Sequence, residues 1–186
     1  MRIFIALDIP EEIRRRMAEY MQRMRPHAPE ARWVRTEGLH VTLKFVGEVK
    51  DDQLQRIKEA LKTVTGAPFD VKFENVGFFP GPKSPRVFWI GVDGGEALLQ
   101  LVSQVELAVE KVGVAREDKD YHPHLTLARA GSGPGANQNL KQIGLVVGRE
   151  PAPQFGTMTA RAFFLFRSEL GRGGAKYTKL ERYSLV

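Results

Sequence analysis

The segments His40-Val-Thr-Leu-Lys-Phe-Val-Gly47 and His124-Leu-Thr-Leu-Ala-Arg-Ala-Gly131 share the pattern His-x-Thr-Leu and begin 84 positions apart. Alternate residues of a β-strand point to the same face, so each segment, as a strand, presents its histidine and threonine on one side. The intervening valine and leucines then face a core on the other side. The repeated pattern predicts two strands that bring two imidazoles and two hydroxyls to one site.

The repeat extends upstream of both motifs. Arg2-Ile-Phe-Ile-Ala-Leu7 begins 38 residues before His40, and Arg86-Val-Phe-Trp-Ile-Gly91 begins 38 residues before His124. A stretch with helical periodicity follows each of these apolar runs. The sequence therefore predicts one bilobal domain over residues 1–186, with an internal repeat of segments 2–47 and 86–131.

Four helix-like and about eight strand-like segments in mixed order favour an α+β fold. We expect two pseudo-symmetric lobes, each an antiparallel sheet with helices packed outside, and an active-site cleft between them. The stiff Pro80-Gly-Pro-Lys-Ser-Pro85 turn is the expected junction of the lobes. Near the C-terminus, residues 157–166 and 177–185 are each expected to form one strand.

Composition narrows the class of protein. With 186 residues, 42% of them hydrophobic, the chain can build a proper core. The net charge of +6, from 28 Lys and Arg against 22 Asp and Glu, favours polyanionic partners such as RNA. The absence of cysteine excludes disulfides, a thiolate nucleophile and cysteine metal sites. No signal-peptide pattern or bilayer-length apolar run occurs, so we expect a cytoplasmic protein without membrane association.

The two motif histidines, His40 and His124, suit acid–base chemistry, because histidine titrates near neutral pH without any perturbation. One imidazole can donate a proton while the other accepts one. Thr42 and Thr126 can donate hydrogen bonds to phosphate oxygens, and Arg129 is the nearest cation for the developing charge. Arg129 has the strand parity of the core-facing leucines, so it reaches the cleft only if the strand ends or bulges before it.

Metal binding is the main chemical alternative. His40, His122 and His124 could supply three nitrogen ligands to zinc. No carboxylate accompanies either motif strand at a ligand-like spacing, and Asp118 and Asp120 lie in a mixed-charge loop that favours solvation. His122 is expected at the rim of the cleft. The fourth histidine, in a proline-containing loop at position 27, is expected to be solvated.

The whole chain resembles the 2H phosphoesterase superfamily, and most closely its RNA 2′,3′-cyclic phosphodiesterase branch, also called 2′-5′ RNA ligases. The resemblance is carried by RIFIALDIP (2–10), HVTLKFVGEV (40–49), RVFWIGV (86–92), PHLTLAR (123–129) and LFRSELGRGGAKYTKLERYSL (165–185). It implies hydrolysis of RNA 2′,3′-cyclic phosphodiester ends to 2′-phosphomonoesters by a two-histidine mechanism. No metal or other cofactor is implied.

The resemblance also implies roles for individual residues. His40 is the implied proton donor and His124 the implied proton acceptor. Thr42, Thr126 and Arg129 are the implied phosphate-binding residues. Phe45 occupies the family's aromatic position. It lies either beside a base of the substrate or in the core, since its position in the strand allows both.

Two other functions compete with hydrolysis. An ATP-independent 2′-5′ ligase would run the reverse transesterification in the same site, and a non-catalytic module would bind nucleotides or RNA there without turnover. The chain has no GxxxxGK[ST] phosphate loop, which argues against an ATP-dependent ligase. The expected partner is RNA with 2′,3′-cyclic phosphate ends, tRNA fragments among them, and the expected state is a monomer.

The glycine-rich stretch Gly171-Arg-Gly-Gly174 carries Arg172 and precedes Lys176. Its glycines imply mobility. We predict that this loop lies near the cleft mouth and contacts the RNA backbone, with an ordinary solvated hairpin tip as the alternative.

Overall fold

The computed structural model describes residues 1–186 and contains nine strands and four α-helices, which alternate along the chain. The strands are β1 (Arg2–Leu7), β2 (Arg32–Trp33), β3 (Val41–Glu48), β4 (Phe69–Phe79), β5 (Val87–Asp93), β6 (His124–Arg129), β7 (Gln154–Ala160), β8 (Ala162–Gly171) and β9 (Gly174–Ser184). The helices are α1 (Glu11–Met24), α2 (Asp51–Leu61), α3 (Gly95–Glu110) and α4 (Gln138–Val147). Two short 3₁₀ turns, Arg25–His27 and Thr36–Gly38, flank β2.

The strands form two sheets whose paired strands are all antiparallel. The first sheet has the order β3-β1-β8-β9, and the second has the order β2-β6-β5-β4-β7. Each helix buries an apolar stripe; in α1 this stripe comprises Ile13, Met17, Tyr20, Met21 and Met24. The expected α+β class with two antiparallel sheets and packed helices is confirmed.

The internal repeat is visible in the topology. Each motif strand, β3 or β6, pairs antiparallel with the strand that begins the same repeat, β1 or β5. β4, which follows α2, joins the second sheet. β8, which follows α4 and β7, joins the first sheet. The two repeats therefore exchange strands, and one core of 42 buried residues runs through both sheets and their helices.

Two expectations about the chain path are wrong. The Pro80–Pro85 turn does not separate the lobes; it joins β4 to β5, which are neighbours in the second sheet. Residues 157–166 are not one strand either. The chain leaves the second sheet after Ala160 and enters the first sheet at Ala162, because the buried residues on the two sides of this point pack in different sheets.

The longest helix, α3, has 16 residues, and none of the helices combines the length and apolar character that a membrane span requires.

A buried ion pair joins the first motif strand to α3. The Lys44 ammonium donates to a Glu106 carboxylate oxygen at 2.7 Å and to the Ala115 carbonyl at 2.8 Å. The Lys44 side chain is only 1% exposed. The same Glu106 oxygen accepts the Glu117 backbone N–H at 2.8 Å. This network attaches the loop that leads into β6 to the middle of β3.

We predict that Lys44→Met lowers the free energy of unfolding by about 3 kcal/mol, because it leaves Glu106 largely buried without its counter-charge. Chemical denaturation measures the change. Lys111→Met, on an exposed lysine directly after α3, is the matched control and should change stability by no more than about 0.5 kcal/mol. A Lys44→Met loss as small as the control's would show that the pair does not anchor the loop.

Candidate active site

The two motif histidines are oriented by the same hydrogen bond. His40 Nδ1 lies 3.1 Å from the Gly38 carbonyl, and His124 Nδ1 lies 2.6 Å from the His122 carbonyl. A carbonyl oxygen only accepts, so Nδ1 carries the proton in both bonds. In each ring the other nitrogen, Nε2, is then the atom left to accept or donate the second proton.

His40 is packed against aromatic side chains of the first sheet. Its ring centroid lies 4.5 Å from that of Phe166, 5.6 Å from that of Tyr177 and 6.0 Å from that of Phe4. The His40 side chain is 6% exposed. An open pocket of about 480 Å³ adjoins it, lined also by Asp8, the first turns of α1, and β9.

A carboxylate and two cations stand beside the His40 ring. Asp8 Oδ1 lies 3.8 Å from His40 Nε2. Lys179 Nζ donates to the other Asp8 oxygen at 2.5 Å, and Arg14 Nη2 donates to Oδ1 at 3.2 Å. Burial by itself would raise the pKa of Asp8, but the Lys179 hydrogen bond and charge, with the charges of His40 and Arg14, hold that pKa below its usual value.

Arg14 also shapes the turn that precedes His40. Its Nη1 donates to the carbonyls of Thr36 and Leu39 at 2.8 and 2.7 Å, and its Nη2 donates to the Ile9 carbonyl at 3.2 Å. The Arg14 side chain is 11% exposed, so these bonds are largely shielded from water. One guanidinium therefore holds the turn whose Gly38 carbonyl orients the catalytic candidate.

Burial lowers the pKa of His40, since it disfavours the charged imidazolium. The hydrogen bond to the Gly38 carbonyl raises the pKa, as does the Asp8 carboxylate, whereas Arg14 and Lys179 lower it. The net direction is downward. The free protein therefore keeps His40 neutral over a wider pH range than an exposed histidine.

His124 has different surroundings. Phe79, at the end of β4, meets the His124 ring edge-on with a centroid distance of 4.9 Å. Across the ladder, His124 lies opposite Gly91 of β5. The residue is half-buried, and no carboxylate lies within ion-pair distance of it. The two imidazoles thus share an orientation but not an electrostatic environment.

Each motif strand contains an extra residue at the same place in the repeat, and β3 has a second one at Val46. In β6, Thr126 lies opposite Trp89 but Ala128 lies opposite the adjacent residue, Phe88, so the ladder skips Leu127. In β3 the same shift passes over Leu43. After each bulge the alternation is reversed. The threonines precede the bulges, so they stay on the same face as the histidines.

The bulges decide where Phe45 and Arg129 point. Arg129 lies opposite Val87 on the face of Trp89 and is exposed, so the expected bulge before it is present. Phe45 lies opposite Phe4, with a ring centroid distance of 6.2 Å, and is 64% exposed. The core alternative for Phe45 is therefore wrong.

A buried tyrosine connects the two motifs. The Tyr121 hydroxyl, three residues before His124, donates to the Thr42 carbonyl at 2.9 Å. Burial raises the pKa of Tyr121 far above its usual value, so the hydroxyl stays protonated as a donor. The loop into the second motif is thereby attached to the first motif strand.

The structure contains no cluster of side chains that would support the metal alternative. No group of three or more histidine and carboxylate side chains converges as metal ligands would, so His40, His122 and His124 do not form such a set. His122 is exposed and offers its carbonyl to His124. Asp118 and Asp120 are exposed, as expected, and so is the histidine at position 27.

Comparison with known proteins gives the family. The model of the LigT-like phosphoesterase family matches residues 7–89 and again residues 90–177. The chain belongs to the LigT-like phosphoesterase family. The two consecutive matches agree with the internal repeat, and the resemblance to 2H phosphoesterases is confirmed.

Three relatives illustrate the similarity. A protein from Archaeoglobus fulgidus named RNA 2′,3′-cyclic phosphodiesterase is 37% identical over 97% of this chain and 98% of its own. The crystal structure of TT0787 of Thermus thermophilus is 31% identical, with a TM-score of 0.79 over 100% of this chain and 98% of its own. The crystal structure of E. coli LigT complexed with 3′-AMP is 26% identical, with a TM-score of 0.78 over 99% and 97%.

Sequence reasoning missed the residues that surround His40. Asp8 lies in the first family-like segment but carried no assigned role, and Arg14 looked like one of several exposed helix arginines. Lys179 is 171 positions from Asp8, so no local pattern connects them. One feature of the sequence indicated the bulge at Leu43. The equivalent residue 84 positions later is Leu127, and the strand was expected to end or bulge there if Arg129 is to reach the cleft.

We predict that the His40 ring titrates below the usual histidine value in an NMR pH titration. Asp8→Asn should lower its pKa further, since the variant removes the one nearby negative charge and leaves Arg14 and Lys179 unopposed. Lys179→Met should raise the pKa, because it removes a cation and frees Asp8. Lys111→Met serves as the control for a lost surface charge. Shifts of the same sign in the Asp8 and Lys179 variants would contradict this electrostatic arrangement.

Proposed function

We propose that the protein hydrolyses RNA 2′,3′-cyclic phosphodiester ends to 2′-phosphomonoesters. The observation that carries the proposal is the repeated geometry of His40 and His124, whose Nδ1 atoms are both fixed by carbonyls and whose Nε2 atoms are left for proton transfer. The family membership supports it, and so does the name of the Archaeoglobus fulgidus relative, RNA 2′,3′-cyclic phosphodiesterase.

In the proposed reaction, His124 Nε2 removes a proton from water as its oxygen attacks the cyclic phosphorus. The bond between phosphorus and the 3′ oxygen breaks, and His40 Nε2–H protonates that oxygen. The 2′ ester bond remains, so the product carries a 2′-phosphate and a 3′-hydroxyl. Each proton transfer of this kind contributes about 10²–10⁴-fold in rate.

The lowered pKa of His40 is compatible with the role of proton donor. A bound phosphate brings a negative charge beside the ring and favours its protonated form, as Asp8 does in the free protein. An imidazolium with a lowered pKa also gives up its proton more readily. Substrate binding would therefore charge the acid at the moment when it is needed.

The remaining proposed roles concern binding. Thr42 and Thr126 would donate to the non-bridging oxygens, and Arg129 would neutralise their developing charge. Phe45 is exposed on the same face as Phe4 and offers an aromatic surface to the terminal base. A cytoplasmic monomer that acts on RNA ends, tRNA fragments among them, remains our prediction.

We predict that His40→Ala and His124→Ala each reduce kcat on a 2′,3′-cyclic end by about 10²–10⁴-fold, because each removes one proton-transfer group. Circular dichroism and thermal unfolding should show an intact fold. His27→Ala, at an exposed histidine, is the matched control and should keep full activity. If the double variant is no slower than either single variant, the two imidazoles act as a unit. Near-normal activity in either single variant would rule out the mechanism.

The nature of the product separates hydrolysis from its alternatives. An oligonucleotide with a 2′,3′-cyclic end is incubated with the protein in the presence of EDTA, and the new end is mapped. We expect a 2′-phosphate at an undiminished rate. Longer RNA joined by 2′-5′ linkages would indicate the ligase, an unchanged cyclic end would indicate a binding module, and loss of activity in EDTA would indicate a metal.

A further inference from the structure

A second open groove of about 510 Å³ lies beside the pocket that contains His40. Its walls come from Arg25, from Thr36 and Glu37 of the second 3₁₀ turn, and from residues between them: Pro29, Ala31, Trp33, Val34 and Arg35. Glu37 lines both the groove and the His40 pocket. The turn that supplies the orienting carbonyl of Gly38 therefore also forms a wall of the groove, and the groove and the His40 pocket adjoin at Glu37.

Two arginines of the groove are exposed and have no carboxylate partner. The Arg25 guanidinium lies 5.8 Å from the centre of the Trp33 ring, and Arg35 lies against the backbone of Gly173. Trp33 is itself fixed, since its Nε1 donates to the Ala28 carbonyl at 2.8 Å. By contrast, the nearby helix residues Arg14, Arg16 and Arg23 all form ion pairs. The positive charges of Arg25 and Arg35 are therefore available to bind an anionic ligand.

The β8–β9 hairpin tip extends this positive surface. A Cβ at Gly173 would lie 3.4 Å from Arg35 Nη2, so the hairpin tip lies directly beside the Arg35 guanidinium. Arg172 and Lys176, at the tip and just after it, are exposed and form no ion pair. We call Arg25, Trp33, Arg35 and Arg172 the basic groove.

We propose that the basic groove binds the phosphodiester backbone of the nucleotides immediately 5′ of the reacting end. The inference rests on the proposed function. A 2′,3′-cyclic phosphate occurs only at the 3′ end of an RNA, so the rest of the chain leaves the active site in the 5′ direction. Unpaired arginines with a rigid aromatic neighbour are the groups that contact single-stranded RNA through phosphates and stacking.

Glu37 is the one carboxylate in the wall of the groove, and it would repel a phosphate. It can instead accept a hydrogen bond from a ribose 2′-hydroxyl, the group that distinguishes RNA from DNA. The strand would then pass with a ribose toward Glu37 and its phosphates toward Arg25 and Arg35. This arrangement makes the groove selective for RNA over DNA.

The test compares a long and a short substrate. Arg25→Ala and Arg35→Ala should each reduce kcat/KM about tenfold for an RNA of about 12 nucleotides with a cyclic end. Hydrolysis of cytidine 2′,3′-cyclic monophosphate should change less than about twofold, because a mononucleotide has no upstream phosphates. Lys111→Ala removes one positive charge outside the groove and should leave both rates unchanged. Equal losses on the two substrates, or no loss on the longer one, would overturn the proposal.

Binding provides a test that does not depend on turnover. Fluorescence anisotropy with a 12-nucleotide RNA that ends in a plain 3′-hydroxyl should show weaker binding by the arginine variants and a salt slope smaller by about 0.7 for each lost phosphate contact. The Arg172→Ala and Lys176→Ala variants test the hairpin tip in the same way. If the wild-type protein fails to hydrolyse either cyclic substrate but still shows these binding differences, the proposed function fails while the groove stands. Unaltered binding refutes the groove alone.

Glu37→Ala tests the selectivity. The variant removes both the repulsion toward phosphate and the acceptor for the 2′-hydroxyl, so it should tighten binding of a DNA oligonucleotide more than binding of the RNA with the same sequence. The ratio of the two dissociation constants should therefore move toward one. An unchanged ratio would show that Glu37 does not contact the 2′-hydroxyl.

Discussion

Each motif strand has a polar site on one face and the apolar core on the other. The order of its side chains must therefore place polar or exposed residues on the first face and apolar residues on the second. Strict alternation would turn Lys44 toward the site and Phe45 into the core. The extra residue at Leu43 reverses the two, so Lys44 is buried and Phe45 is 64% exposed. The equivalent bulge at Leu127 does the same for Arg129. The exposure of Phe45 and Arg129 on the histidine side of the strands therefore depends on these two skipped ladder positions.

The buried Lys44 is a consequence of that reversal. An ammonium in the core needs a partner, and Glu106 of α3 supplies it together with the Ala115 carbonyl. The partner residues bring the loop before β6 against β3, where Tyr121 adds its bond to the Thr42 carbonyl. The bulge in one motif strand thus also determines how the approach to the other motif strand is held.

The two histidines show how a duplicated element acquires two different surroundings. The Nδ1–carbonyl bond is the same in both, but the residues 84 positions after Asp8 and Arg14 are Val92 and Leu98, both buried and apolar. Only His40 therefore has a carboxylate and cations around its ring, and only His124 meets Phe79. Such unequal surroundings suit the proposed division of labour, in which one imidazole donates a proton and the other accepts one.

The sequence by itself determined the elements and the motif that repeats: the motif strands, the apolar helix stripes and the α+β class. It also singled out His40, His124, both threonines and Arg129 as candidate site residues. These follow from hydrophobic periodicity and from a repeated motif, both of which are visible in the sequence without the tertiary structure. Only the tertiary structure decided which sheet β4 and β8 join, which way Phe45 points, and that Asp8, Arg14 and Lys179 surround His40. Strand exchange, a bulge and a contact across 171 positions depend on how the whole core packs, and no local pattern encodes them.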